Sequence, residues 1–153
     1  KPTQDLHSKD IELILRSFAL LHDVENYSPK MVSFLNSFSQ KAKKFSNEHI
    51  KYLDDLFMSF IDACSDLGEK AFFRNNRFST TLFESVFVAA CCNDFEKGQL
   101  LTKKIEPSSF EVLKNDEKFI SYLLSGSSSS ENIKGRVNRA KEVIKLKEEN
   151  CNE

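Results

Sequence analysis

A chain of 153 residues has room for one domain of ordinary size and buries about 70% of the surface that its unfolded form exposes. Lys and Arg number 22 against 23 Asp and Glu, a formal net charge of −1, which excludes a protein that holds nucleic acid or membrane by bulk charge. With 14 Phe, no Trp, 4 Gly and 3 Pro, large apolar side chains are plentiful and helix breakers scarce. The expectation is an all-α fold, a single domain of about six to seven helices.

The longest unbroken apolar run, Val86 to Cys92, is seven residues, against the roughly 18 that a membrane-spanning helix needs. The chain opens on Lys1-Pro2-Thr3 with neither an initiator Met nor an apolar leader, which reads as a processed start or, the favoured expectation, a cut inside a longer polypeptide. The four cysteines, at 64, 91, 92 and 151, form no C-x-x-C, and the adjacent pair lies among small apolar residues. Buried thiols in a reducing, cytoplasmic setting are expected.

In chain order, residues 1–8 read as disordered or linker, the helical domain as 9–146 and residues 147–153 as a frayed tail. Ser8 caps a helix over 9–22, whose Ile11, Ile14, Leu15, Phe18 and Leu21 recur at helical spacing and whose Glu12 and Arg16 stand four apart as an ion pair. Ser28-Pro29 opens a second helix with Met31, Phe34, Leu35, Phe38, Ala42 and Phe45 on its apolar stripe. Ser46 caps a third, which runs through Phe57 and Phe60 to a stop at Gly68. Glu69 to Phe78 is aperiodic and reads as a connection with room for a short extended piece. From Ser79 or Thr80, the run Leu82, Phe83, Val86, Phe87, Ala89, Ala90 and Cys91 is apolar on most of its circumference, as expected of a central helix; β-branched Val86 and Val88 leave a buried strand as the alternative. Phe57, Phe60, Phe83 and Phe87 are the predicted centre of the core.

Pro107 opens a short helix through Leu113, Asp116 caps another to Gly126, and Ser125 to Ser130 is a small serine-rich loop. Ser128 and Glu131 suggest a capping box for the last helix, whose stripe is Ile133, Val137, Ala140 and Ile144.

The sequence holds no glycine-rich phosphate loop, no H-E-x-x-H and no G-x-S-x-G, so no catalytic, cofactor-binding or metal residue is assigned and no cofactor is expected. His7, His22 and His49 fall at helix ends and are not expected to cluster. Two weaker patterns remain. Arg16 and His22 form an Arg-x5-His string similar to that of the HEPN family of helical ribonucleases, where a cation and a general base flank a phosphate. Lys134, Arg136, Arg139, Lys141 and Lys145 make the last helix locally basic, with Lys134, Lys141 and Lys145 on one face, a candidate DNA contact. Arg74 and Arg77 add a second small basic spot.

The string Asp10 to Leu20 resembles the "D-x-E-hydrophobic-hydrophobic-L-R-F-hydrophobic-A" helix of the prokaryotic domain-of-unknown-function family 262. Met31 to Asn36 is similar to that family's "M-x-x-F-L-N", Leu67 to Phe72 to its "L-G-x-x-A-F", Leu82 to Val86 to its "L-F-E-A" helix and Asn132 to Val137 to its closing "N-V-x-x-R" segment. Arg16 and Arg136 fall on family arginines, while Ser17 stands where the family has an aromatic residue. The resemblance implies a helical region that follows a ParB-like domain bearing a D-G-Q-Q-R motif, in proteins related to GmrSD-type restriction enzymes that cleave modified phage DNA. This chain has no D-G-Q-Q-R, so the family's nuclease chemistry maps onto none of its residues. The implied role is a helical accessory region of a larger protein acting on DNA in phage defence, with its own N-terminal domain as partner, DNA as a further partner through the basic helix, no membrane, and self-association left open. A protein-interaction module with an exposed apolar groove and the Arg16/His22 ribonuclease are the alternatives.

Overall fold

The computed structural model describes residues 2–124 and 126–148, with side chains from residue 9 onward. The described chain is all-α, with seven helices: α1 (Pro2–Asp23), α2 (Met31–Ala42), α3 (Asn47–Ala63), α4 (Thr80–Glu96), α5 (Pro107–Lys114), α6 (Glu117–Ser121) and α7 (Ser130–Val143). A 3₁₀ turn at Val24–Asn26 follows α1, and two-residue strands form two small antiparallel ladders. No helix among the described residues is long and apolar enough to cross a membrane.

α4 is the axis of the fold and packs chiefly against α1 and α7, with α3 alongside. Nine of its residues, Leu82 to Val88 with Ala90 and Cys91, are buried, so it has no solvated face over that stretch. The strand alternative for this run is thereby set aside. Ser79 caps α4 by accepting from the Leu82 N–H. Across it, Phe60 and Phe87 meet edge to face at 5.0 Å, and Phe18, Phe72 and Phe83 close the aromatic cluster around them. Phe60, Phe83 and Phe87 are buried as expected, whereas Phe57 lies at the margin, half-buried.

Several local expectations hold. Ser46 caps α3 through the His49 N–H, Asp116 caps α6 through the Phe119 N–H, and Pro107 sits in the first turn of α5. The connection after α3 holds β1 (Phe73–Arg74) and β2 (Arg77–Phe78), joined through Asn75 and Asn76, both at positive φ. Two consecutive left-handed residues make the tight hairpin turn whose twist matches antiparallel strands, and asparagine tolerates that conformation better than most residues.

Others are corrected. α1 starts at Pro2, so Ser8 lies inside the helix and the disordered start is not seen over residues 2–8. The residue flanking α2 is Lys30, not Ser28, and its side chain makes no capping bond. α3 ends at Ala63, five residues before Gly68, because successive turns at Cys64 to Leu67 take up its last carbonyls. Ser129, one residue after the expected Ser128, caps α7 by accepting from the Asn132 N–H. The chain beyond α7 is tied down through residue 147: β4 (Leu146–Lys147) pairs with β3 (Lys104–Ile105), and the Glu106 N–H donates to the Lys145 carbonyl. The rest of the expected frayed tail, from residue 149, lies outside the described residues.

Candidate functional site: a buried ionic centre and an apolar groove

The one carboxylate in the middle of α4 has no route to water: Glu84 is fully buried. A carboxylate there survives only if cations and hydrogen bonds replace its hydration. Arg16 of α1 supplies a two-pronged contact, Nε to Oε2 at 2.8 Å and Nη2 to Oε1 at 2.9 Å. Arg136 of α7 supplies a third bond from its Nη2 to Oε1 at 3.2 Å and is itself 1% exposed. Arg136 Nη1 turns to the carbonyls of Tyr122 and Ser127, and the Tyr27 hydroxyl donates to the Ser128 carbonyl at 2.6 Å. One carboxylate thus joins three helices, and Arg136 with Tyr27 pins the serine-rich loop. Desolvation pulls the two guanidinium pKa values down; at Arg16 the hydrogen bonds and charge of Glu84 outweigh it and the net shift is upward, whereas at Arg136 desolvation wins.

The expected Glu12–Arg16 pair gives way here. Arg16 spends its hydrogen bonds on Glu84, and Glu12 adds only a nearby negative charge. Ser17 is buried and donates its hydroxyl to the Leu13 carbonyl, which satisfies it within its own helix.

The basic face of the last helix is also corrected. Arg136 is inside the protein. Arg139 forms a two-pronged pair with Asp116, Nε to Oδ1 at 3.0 Å and Nη2 to Oδ2 at 2.6 Å, which joins α7 to the cap of α6 and lowers the Asp116 pKa through those bonds. Lys145 lies beyond the end of α7, where its backbone N–H donates to the Ser109 hydroxyl, so it shares no helical face with Lys134. Lys141 is exposed but lines a hollow of about 290 Å³ with the acids Asp23, Glu25 and Glu96. At the other basic spot, Arg74 is taken up by the Lys114 carbonyl.

His22 and His49 cluster after all. The His22 Nδ1–H donates to the Phe18 carbonyl at 2.7 Å, which leaves its Nε2 to face His49 Nε2 at 3.3 Å. Phe38, Phe45 and Phe95 ring His22, and burial lowers its pKa. Arg16 and His22 thus engage different partners and do not assemble the ribonuclease pairing. No group of three or more His, Cys, Asp or Glu side chains among the described residues could hold a metal. Burial pushes the Cys64 thiol up to about 12 and raises Cys91 as well, the state of inert packed thiols.

The second feature is an open, apolar groove where α1, α2 and α3 meet, with Ile11, Ile14, Phe38, Phe45 and Ile50 among its walls and Asp54 as its one charged lining residue. Ile11 is 53%, Ile14 38% and Ile50 48% exposed. Isolated exposed aliphatics are ordinary on a protein surface, but a contiguous concave group of them marks a contact site.

Neither family models nor curated proteins nor solved structures give a match to this chain.

Proposed function

We propose that the chain is a non-catalytic helical accessory domain of a larger prokaryotic protein acting on DNA, of the restriction and phage-defence kind that the family-262 resemblance implies. The observation that carries this reading is the convergence of its motifs. Arg16, Glu84 and Arg136 come from three separate motif segments, and they meet in one buried network. The other segments fall on structural positions too: Met31 and Phe34 in the core, Gly68 at positive φ, and Ala71 and Phe72 against the aromatic cluster. Chance resemblances scattered along a chain have no reason to share one ionic centre. The reading assigns Arg16 and Arg136 to holding the helices together, and leaves DNA chemistry to the upstream domain.

A second reading, a self-standing protein-interaction module, is favoured by the α1–α2–α3 groove. Both readings are tested by incubating the purified chain with plasmid DNA and RNA, with and without divalent metal. The expected result is no cleavage. Cleavage that Arg16→Met or His22→Phe abolishes, in variants whose circular dichroism is unchanged, would replace both readings with the ribonuclease.

A further inference from the structure

The β1–β2 hairpin carries a conflict that the fold does not need. Its register sets Phe73 opposite Phe78 and Arg74 opposite Arg77. Opposite residues of an antiparallel pair project to one side of the ribbon, and successive pairs alternate. The phenylalanines take the inner side: their rings meet edge to face at 6.1 Å, and Phe78 reaches Phe83 of α4 at 5.8 Å. The two arginines share the other side, with Cβ atoms about 5 Å apart, and like charges placed directly opposite destabilise a ladder. Arg74 has a structural reason to be there, since its Nη1 donates to the Lys114 carbonyl at 2.7 Å, at the C-terminal end of α5, where a cation is favoured. Arg77 has none: it is exposed, and its side chain makes no hydrogen bond or ion pair among the described residues. Local conflicts of this kind collect at functional sites.

The positive charge is not cancelled by its surroundings either. Arg74 and Lys114 both bond to neutral carbonyls, Lys114 Nζ to that of Ala71 at 2.8 Å, and Lys70 Nζ lies 6.0 Å over the Phe73 ring. In the segments 66–78 and 111–116 the acids are Asp66, Glu69, Glu111 and Asp116. Asp66 pairs with Lys147 and Asp116 with Arg139. Lys70, Arg74, Arg77 and Lys114 are then set against Glu69 and Glu111 alone, a local balance of +2 in a chain of net charge −1.

Two neighbouring guanidinium groups suit phosphate oxygens, which a guanidinium binds in two-pronged fashion. The tip between them is Asn75 and Asn76, both exposed, so no acid stands in the approach. A single strand would need a free aromatic face on which its bases could stack, and the Phe78 ring, although 44% exposed, is engaged by Phe73 and Phe83. The backbone of a duplex asks only for the cations.

We propose that the β1–β2 hairpin is a wing that rests on the phosphate backbone of duplex DNA, with Arg77 as its principal contact and Arg74 and Lys70 beside it. The inference rests on the reading of the parent as a protein that acts on DNA, and it moves this domain's DNA contact from α7 to the hairpin.

The test measures the anisotropy of a short labelled DNA duplex titrated with the full chain, with the single strand and poly-glutamate as comparison ligands. Duplex binding should be weak and indifferent to sequence, with a Kd of about 10⁻⁴–10⁻⁶ M and a log-log salt slope of about −2 to −3; both comparison ligands should bind more weakly. Arg77→Glu places an acid across from Arg74, so it should hold or raise the melting temperature while it weakens duplex binding about tenfold and makes the salt slope shallower by about 1. Arg77→Gln, neutral at the same place, should fall between. Changing Lys134, Lys141 and Lys145 together to Gln should leave duplex binding as it is. Duplex binding untouched by Arg77→Glu, a melting temperature lowered by more than about 2 °C in both Arg77 variants, poly-glutamate or the single strand bound as tightly as the duplex, or no duplex binding at all would each overturn the proposal. None of these outcomes bears on whether an upstream D-G-Q-Q-R domain exists, so the accessory reading stands or falls separately.

Discussion

Replacing Glu84 by Gln keeps the shape of the side chain and removes its charge, which leaves the guanidinium groups of Arg16 and Arg136 facing a neutral amide inside the protein. Three hydrogen bonds converge on the carboxylate, from Arg16 Nε, Arg16 Nη2 and Arg136 Nη2. An amide has one acceptor oxygen, and its NH2 group meets a guanidinium donor head-on. Breaking a buried pair by removing one partner costs about 3–5 kcal/mol. The Arg16 side chain keeps 16% of its surface in water and recovers part of its solvation, while Arg136 at 1% recovers almost none. The expected loss is therefore about 3 kcal/mol, a large share of the roughly 5–15 kcal/mol that holds an ordinary domain together. In urea unfolding with a slope near 2 kcal/mol/M, the midpoint should fall by about 1.5 M. Replacing all three residues by Met, which removes charge and desolvation together, should restore most of the loss. A Glu84→Gln loss below about 1 kcal/mol, or a triple variant less stable than the single one, would refute the assignment of Glu84 as the charge that holds α1, α4 and α7 together.

Four further outcomes follow from particular residues. Gly135→Ala in α7 should gain up to about 1 kcal/mol from helix propensity alone, but a methyl there overlaps the Tyr122 ring, so a net loss of about 1–2 kcal/mol is expected; in a Tyr122→Ala background the sign should reverse. His22 has its pKa lowered by burial, with the charge of His49 adding to the effect, so the unfolded chain binds its proton more readily than the folded one. Stability should then be fully present above about pH 6.5 and fall as pH drops below it, and comparing melting temperatures at neutral and mildly acidic pH should show a smaller fall for His22→Phe than for the native chain. Changing Lys134, Lys141 and Lys145 together to Gln should leave the melting temperature within about 2 °C, as surface substitutions usually do. Any DNA affinity of the native chain should show a log-log salt slope no steeper than about −3, because Arg136 and Arg139 are already engaged.

The helical class was legible because apolar spacing and the scarcity of breakers point the same way, and Ser46, Asp116 and Pro107 carry their helix-start signals within a few residues of the bonds they make. Ser128 with Glu131 had the spacing of a capping box, yet Ser129 makes the bond, while the Ser128 carbonyl is held by the Tyr27 hydroxyl in a long-range contact that local spacing does not encode. The Lys30 side chain makes no capping bond, so Ser28-Pro29 marked the start of α2 only to within two or three residues. The ionic centre was half visible: a single Glu within the apolar stretch from Leu82 to Cys92 demands a buried cation, but nothing local says that the cations come from 68 residues before and 52 after. Arg16 had a plausible partner four residues away in Glu12, and a surface pair is a weaker claim on an arginine than a fully buried carboxylate. The meeting of His22 and His49 likewise depends on how α1 crosses α3, which periodicity does not encode. The lysines and arginines of α7 looked alike on paper, and only the tertiary structure separates Arg136, buried against Glu84, and Arg139, paired with Asp116, from the exposed Lys141.

The central claim, that this is the helical accessory domain of a larger DNA-acting protein, is tested most directly by reading the coding sequence upstream of Lys1. The account predicts an open frame that runs on without interruption into a domain carrying D-G-Q-Q-R within the preceding one or two domain lengths. A complete parent protein without that motif would contradict it.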